Sequence, residues 1–156
     1  MDALAGELAI SRATLYRAVG SRDALLGDVF WTIGEMLIAE ASGEATGTGP
    51  DRVIAVSRIF AELHGSAEQL RRFSAAEPQT AARVLLTAAG DVTGRAADAQ
   101  LKIFLESGIE GDLDDLRRRA ALYVRTLEGA LYGPLLGSGP IDFESAEPAL
   151  RALLTR

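Results

Sequence analysis

Apolar residues recur at steps of three and four positions along almost the whole chain, and no segment alternates strictly between apolar and polar residues. The three-four spacing collects the apolar side chains on one face of an α-helix, whereas a half-buried strand requires alternation. The sequence therefore predicts an all-α protein. With 156 residues, the chain can bury one ordinary core, or form a small head joined to a larger body.

The composition argues against several classes of protein. The chain has no cysteine, and neither a secretory leader nor an apolar run of about 18 residues is evident. We therefore expect a cytoplasmic protein without disulfides and without a membrane partner. The formal net charge of -6 argues against a surface that is basic throughout, but it permits one local basic site.

A short basic segment near the N-terminus is the clearest candidate for a functional site. A helix is predicted over Ser11–Val19, after a first short helix over Asp2–Leu8. Between Ile10 and Arg22 there are three arginines and no acidic residue. A short helix with an apolar rear and polar side chains near its start meets the demands of a recognition helix in the major groove of DNA.

A long helix and a loop are predicted to divide the chain. From Ser21 onward, three- and four-residue apolar steps indicate a helix of about 20 residues, which is long enough to act as a connector. The run Ser42–Pro50 contains three glycines and a proline, and such a composition is typical of a loop. We expect a head and connector over residues 1–42, and a body over residues 51–156.

The body is predicted to consist of helices throughout, and its last two helices are a candidate dimer interface. They are apolar helices joined by a tight turn, over Asp112–Leu135 and Phe143–Leu154. Such a pair can associate with its symmetry copy as a four-helix bundle, which predicts a homodimer. The alternative is that both helices complete the core of a single monomer.

The order of residues at the N-terminus resembles the DNA-binding head of TetR-type transcriptional regulators. The matching segments are Leu8-Ala9-Ile10-Ser11, then Thr14-Leu15-Tyr16, then Val19-Gly20-Ser21-Arg22-Asp23-Ala24-Leu25-Leu26. Within that family, the sequence of these segments is most similar to a QsdR-like subgroup. The resemblance covers Leu4 to about Trp31, and beyond this range it is one of all-helical architecture.

The resemblance implies a repressor that binds double-stranded operator DNA and is released by a small-molecule effector. By position it assigns DNA contacts to seven residues: Ser11, Arg12, Thr14, Tyr16, Arg17, Ser21 and Arg22. It assigns the core of the head to five others: Leu4, Leu8, Leu15, Val19 and Leu25. The effector is expected to bind in the body and to move the connector helix, because two heads must match half-sites roughly 34 Å apart.

The family's first helix is expected upstream of Asp2, so we expect a truncated head in this sequence. Such a helix would bury three or four large apolar side chains, and its loss removes on the order of 5 to 10 kcal/mol. That amount is comparable with the whole stability of a typical domain, about 5 to 15 kcal/mol. We therefore expect the head to be either loosely ordered or covered by a partner. The alternative function is a dimeric ligand-binding protein that has lost DNA binding with this helix.

The sequence offers little for catalysis. It has one histidine and no cysteine, and neither a phosphate-binding glycine loop nor a metal-ligand spacing is evident. We expect no enzyme, no metal and no cofactor. Five ring-bearing side chains of the body are candidates for the wall of an apolar effector pocket: Phe60, His64, Phe104, Tyr123 and Tyr132. They are equally compatible with a packed core, because pocket walls and cores use the same residue types.

Overall fold

The computed structural model describes residues 1–155. Within this range the chain forms nine α-helices and one short 3-10 helix, and it contains no β-strand. The helices are α1 (Asp2–Glu7), α2 (Arg12–Val19), α3 (Arg22–Glu44), α4 (Gly49–Ser66), α5 (Glu68–Ala76), α6 (Pro78–Leu86), α7 (Val92–Ser107), α8 (Leu113–Tyr132) and α9 (Phe143–Ala152). The 3-10 helix (Gly133–Leu136) follows α8. The all-α prediction is confirmed. In the described residues, no helix is both long and apolar enough to cross a bilayer.

Helix α2 and the start of α3 lie where the sequence predicts, because their end signals are local. Ser11 caps α2, since its Oγ accepts a hydrogen bond from the backbone N–H of Thr14 at 3.0 Å. Gly20 ends α2 with a φ of +74°, a left-handed conformation that favours glycine. Its N–H donates to the carbonyl oxygen of Tyr16 at 2.8 Å. Ser21 caps α3 in the same way as Ser11 caps α2.

The loop predicted over Ser42–Pro50 is wrong at both ends, because α3 and α4 leave only residues 45–48 between them. Arg52 of α4 donates hydrogen bonds to the carbonyl oxygens of Ser42 and Ala45, at 3.1 and 2.5 Å. Carbonyl groups at the end of a helix otherwise lack partners. These bonds, with the burial of Ala45, offset the low helix propensity of Gly43, which costs about 1 kcal/mol.

The main core lies between α4, α7, α8 and α9, together with the end of α3. Phe104 of α7 and Tyr123 of α8 are fully buried there, with ring centroids 5.5 Å apart in an edge-to-face arrangement. The Tyr123 hydroxyl lies 2.8 Å from Ser57 Oγ of α4 and shares a hydrogen bond with it. Three helices are thereby joined at one point. A second, smaller core joins α3, α5 and α6 around Phe30 and Val84.

The head is less buried than the body. Ala5 of α1 and Leu15 of α2 are the buried residues of these two helices. Leu8, which was expected in the core of the head, is 54 % exposed because α1 ends at Glu7 and Leu8 lies in the turn that follows. Leu113, the first residue of α8, is 46 % exposed.

Helix α3 packs against the body at an unusually close approach of two backbones. A Cβ atom added to Gly27 would lie 2.1 Å from the carbonyl oxygen of Gly90, in the connection between α6 and α7. A Cβ atom added to Gly90 would in turn lie 2.4 Å from the carbonyl oxygen of Val84. Both clashes involve backbone atoms, which cannot rotate away. The position of α3 along the body therefore depends on glycine at these two sites.

We expect Gly27→Ala to lower the free energy of unfolding by about 2 to 3 kcal/mol, because overpacking forces the backbones apart. Gly34→Ala is the matched control on the same helix, since its Cβ atom would meet no atom within 4 Å. That variant should gain up to about 1 kcal/mol from helix propensity. Denaturant unfolding measures both, and equal effects of the two substitutions would contradict the proposed close contact.

Candidate functional site

Helix α2 presents its polar residues to solvent and its apolar residues to the rest of the head. It is eight residues long, which corresponds to about 12 Å. Leu15 is buried and Val19 is half-buried on its rear face. Arg17 lies opposite these two residues on a helix of 3.6 residues per turn. All seven residues that the sequence predicts as DNA contacts are exposed: Ser11, Arg12, Thr14, Tyr16, Arg17, Ser21 and Arg22.

The arginines of the head differ in their partners. Arg12 Nε lies 2.7 Å from Asp2 Oδ1, and both side chains are about two-thirds exposed. Arg17 reaches only the hydroxyl of Thr14, at 3.5 Å. An exposed ion pair contributes about 0 to 1 kcal/mol, so the pair with Asp2 is readily exchanged for a phosphate. Arg17 is the arginine of α2 most available to a ligand.

Three ion pairs join the first part of α3 to the body. They are Arg22 with Glu77 at 3.0 Å, Asp23 with Arg83 at 2.6 Å, and Asp28 with Arg95 at 2.8 Å. The hydrogen bond from Arg83 lowers the pKa of Asp23 below its ordinary value. The pairs lie on both sides of Gly27 in sequence, so they reinforce the contact made there by the backbone. Arg22 is thus exposed but already bound to the body.

The body contains a cavity of about 90 Å³. Its wall is formed mainly by α3, α4, α7 and α8, and it is largely apolar. Helix α3 contributes five of the lining residues: Phe30, Trp31, Gly34, Leu37 and Ile38. An apolar cavity of roughly 150 Å³ admits benzene, so this one holds a few small atoms as it stands. A larger occupant requires the surrounding helices to move apart.

The five ring-bearing candidates of the sequence analysis separate into two groups. Phe60, His64 and Tyr132 line the cavity. His64 Nε2 lies 3.1 Å from the Tyr132 hydroxyl, and their rings meet edge to face at 5.2 Å. Phe104 and Tyr123 instead lie in the main core, outside the residues that line the cavity.

Three polar residues of the wall, Ser57, Gln100 and Glu128, were not found from the sequence. Gln100 of α7 is 6 % exposed, and its Nε2 has no hydrogen-bond partner among the described residues. Glu128 of α8 is 8 % exposed, and it accepts hydrogen bonds from Thr93 at 2.7 Å and Arg125 at 3.1 Å. The signal available for Gln100 was a polar residue four positions after Ala96 on the inward face of α7.

Burial shifts the ionisable groups of the cavity towards their neutral forms. It lowers the pKa of His64 and raises the pKa values of Glu128 and Tyr132. The hydrogen bonds from Thr93 and Arg125 act against the shift at Glu128. In the described residues, no group of three or more histidine, aspartate or glutamate side chains is arranged to hold a metal ion. The chemistry of the cavity is therefore that of a mostly apolar binding site.

We expect the NMR titration of His64 to have a midpoint below about 6.5, the ordinary value for histidine, because burial lowers its pKa. It is the only histidine of the chain, so its C2–H signal is unambiguous. The unfolded chain binds this proton more readily than the folded one. Stability should therefore decrease as the pH falls from about 6.5 towards the folded pKa. His64→Gln should remove that part of the pH dependence, and a midpoint at or above 6.5 would contradict the burial of the ring.

Comparisons with known proteins agree on one family. The profile of the tetracyclin repressor-like C-terminal domain matches residues 48–155. The structure is similar to that of the R. erythropolis transcriptional repressor QsdR from the TetR family, with a TM-score of 0.89 and 29% sequence identity, over 99% of this chain and 85% of that chain. Among curated protein sequences there is no match. The chain belongs to the TetR family, a family of transcriptional regulators rather than enzymes, and within it is structurally close to QsdR.

Proposed function

We propose that the protein is a repressor that binds operator DNA as a homodimer and leaves it when a small molecule occupies the internal cavity. The observation that carries this proposal is the path of α3. Its first residues, Ser21 and Arg22, lie beside α2 in the head, and the segment from Phe30 to Ile38 lines the cavity. One continuous helix therefore belongs to both candidate sites.

We divide the chain accordingly into two parts. The head and connector comprise residues 1–42, with α1, α2 and most of α3, and the body begins at residue 51. The connector also packs against α4, α6 and α7, so its middle forms part of the body's cavity wall. In this division the connector is the element through which the state of the body reaches the head.

The chemistry of α2 supports insertion into the major groove. Arg17 lies on the face opposite the buried Leu15, on a helix of 3.6 residues per turn, and Thr14 is exposed beside it, so both can reach base edges. An arginine can donate two hydrogen bonds to one guanine, and a threonine can contact a thymine methyl group or a phosphate. Tyr16, Arg12 and Ser21 lie at the flanks of this face, where phosphates run. The sequence outside the basic segment is strongly acidic, which favours approach to DNA through the head alone.

Release of DNA follows from the small volume of the cavity. An occupant that needs more room than about 90 Å³ displaces part of the wall, and α3 contributes five of the lining residues. Helix α2 packs against α3, and ion pairs and the contact at Gly27 hold the first part of α3 to the body. A shift of α3 large enough to displace these contacts moves α2 with it and changes the distance between two heads, which DNA fixes at roughly one helical turn.

The C-terminal helices supply the surface for a homodimer. Helices α8 and α9 pack side by side. Leu122 of α8 is 56 % exposed, and Pro148, Ala149 and Ala152 of α9 are exposed as well. Apolar residues exposed on two adjacent helices favour pairing with the same helices of a second copy.

Operator binding should weaken by 1 to 3 kcal/mol, about 5- to 150-fold, in Arg17→Ala if this arginine contacts a base. The measurement is fluorescence anisotropy with DNA from the promoter upstream of the gene, using the protein as the gene encodes it. The control is Lys102→Ala, because Lys102 is an exposed cation on α7, in the body.

An equal loss of affinity on all DNA sequences would assign Arg17 to a phosphate. The absence of any specific, salt-sensitive binding would contradict the repressor proposal. It would favour instead a dimeric ligand-binding protein without DNA binding.

Leu122→Glu should convert the dimer to a monomer at micromolar concentration, because it places a charge in an apolar interface. Leu105→Glu is the matched control, since Leu105 of α7 is 52 % exposed and lies outside α8 and α9. Sedimentation velocity measures both. A dimer that survives the first substitution and dissociates with the second would place the interface elsewhere.

A further inference from the structure

The side-chain amide of Gln100 is a buried hydrogen-bond donor without a partner. Gln100 is 6 % exposed and lines the cavity from α7, and its Nε2 atom has no hydrogen-bond partner among the described residues. Buried polar groups in native proteins are almost always paired, and an unpaired one calls for an explanation such as a missing ligand. The neighbouring wall positions Ala96 and Ile103 are apolar and offer no acceptor.

Four other polar side chains of the wall already have a hydrogen-bond partner. His64 and Tyr132 share a hydrogen bond. Ser57 is bonded to the carbonyl oxygen of Val53 and to Tyr123. The two oxygens of Glu128 accept from Thr93 and Arg125. Among the residues that line the cavity, Gln100 is therefore the one with a buried side-chain donor that has no hydrogen-bond partner in the described residues.

The charges around the cavity select against anions. Among the described residues that line it there is one carboxylate, Glu128, and neither a lysine nor an arginine. Burial lowers the pKa of His64, so its ring supplies no positive charge at neutral pH. A carboxylate entering this cavity would lose its hydration without gaining a counter-ion, and such a transfer is strongly unfavourable.

We propose that the cavity binds a neutral, mostly apolar molecule whose carbonyl oxygen accepts a hydrogen bond from Gln100 Nε2, and that it excludes carboxylates of the same shape. This inference rests on the proposed function in one respect, since it takes the same cavity as the effector site. It adds the chemical class of the effector and the residue that anchors it. Ketones, esters and amides satisfy the requirement.

The sequence allows this hydrogen bond to be observed directly by NMR. It contains three glutamines, Gln69, Gln79 and Gln100, and no asparagine, so only three side-chain amide groups give signals. Gln69 and Gln79 are exposed and serve as internal controls. Trp31, the one tryptophan of the chain, also lines the cavity, so its indole N–H signal reports occupancy independently of Gln100.

Three probes of nearly identical shape separate the contribution of the carbonyl oxygen from those of apolar contact and of negative charge. The first is 2-pentanone, the second is 2-methyl-1-pentene, in which a methylene group replaces the carbonyl oxygen, and the third is butanoate, in which an anionic oxygen replaces a methyl group. We expect 2-pentanone to shift the Gln100 amide and the Trp31 indole saturably, and to leave Gln69 and Gln79 unchanged. The hydrocarbon should shift the Trp31 indole signal without a downfield shift of a Gln100 amide proton. Butanoate should shift neither signal.

Gln100→Met keeps the length of the side chain and removes the donor. It should weaken 2-pentanone binding roughly three- to tenfold, the usual effect of one hydrogen bond, and leave 2-methyl-1-pentene binding unchanged or tighter. Gln79→Met is the matched control on the surface and should change neither. The comparison of probes on the unaltered protein does not depend on the folding of any variant.

Equal affinity for the ketone and the hydrocarbon, binding of butanoate at the Trp31 signal, or an unchanged Gln100 amide at saturation would each overturn the inference. All of these measurements are made without DNA. A protein that binds 2-pentanone through Gln100 but never binds an operator would contradict the proposed repressor function and uphold this inference. A protein that binds an operator but fails the probe comparison would do the reverse.

Discussion

The backbone contact between Gly27 and Gly90 is the constraint on which the relation between head and body depends. At this point α3 has no side chain that could yield, so the helix cannot slide or tilt without displacing the connection between α6 and α7. Ion pairs on both sides of Gly27 hold the same segment. Because α3 is 23 residues long, about 34 Å, a small rotation at the cavity produces a larger movement at its ends. In the proposed function, this segment of α3 couples the cavity to the head.

The sequence predicted helix ends well where the signal is carried by the residue itself. Ser11, Gly20 and Ser21 set the limits of α2 and α3 by bonds within a few positions of the chain. It failed at Ser42–Pro50, where glycines suggested a loop. There the outcome depends on Arg52, which satisfies the end of α3 from the next helix. A contact between two helices, such as this one, is not visible in the amino-acid composition of the segment that it stabilises.

The residues of the cavity could be predicted only in part, because they too depend on contacts between helices. Phe60, His64 and Tyr132 line the cavity, whereas Phe104 and Tyr123 lie in the main core. In the sequence, all five belong to helices whose apolar residues recur every three or four positions. The distinction depends on how α3, α4, α7 and α8 fit together, which periodicity does not encode. A polar residue on an apolar face, such as Gln100, is the better signal, because its burial requires a partner.

The central claim is that occupation of the cavity moves the heads through α3. The chain has no cysteine, so Ala18→Cys on the exposed part of α2 places one spin label on each protomer. Pulsed electron spin resonance then measures the distance between the two heads. Saturation with 2-pentanone should shift this distance by a few ångströms away from the roughly 34 Å set by successive half-sites. An unchanged distance, while the Gln100 amide signal shows the cavity to be filled, would contradict the coupling.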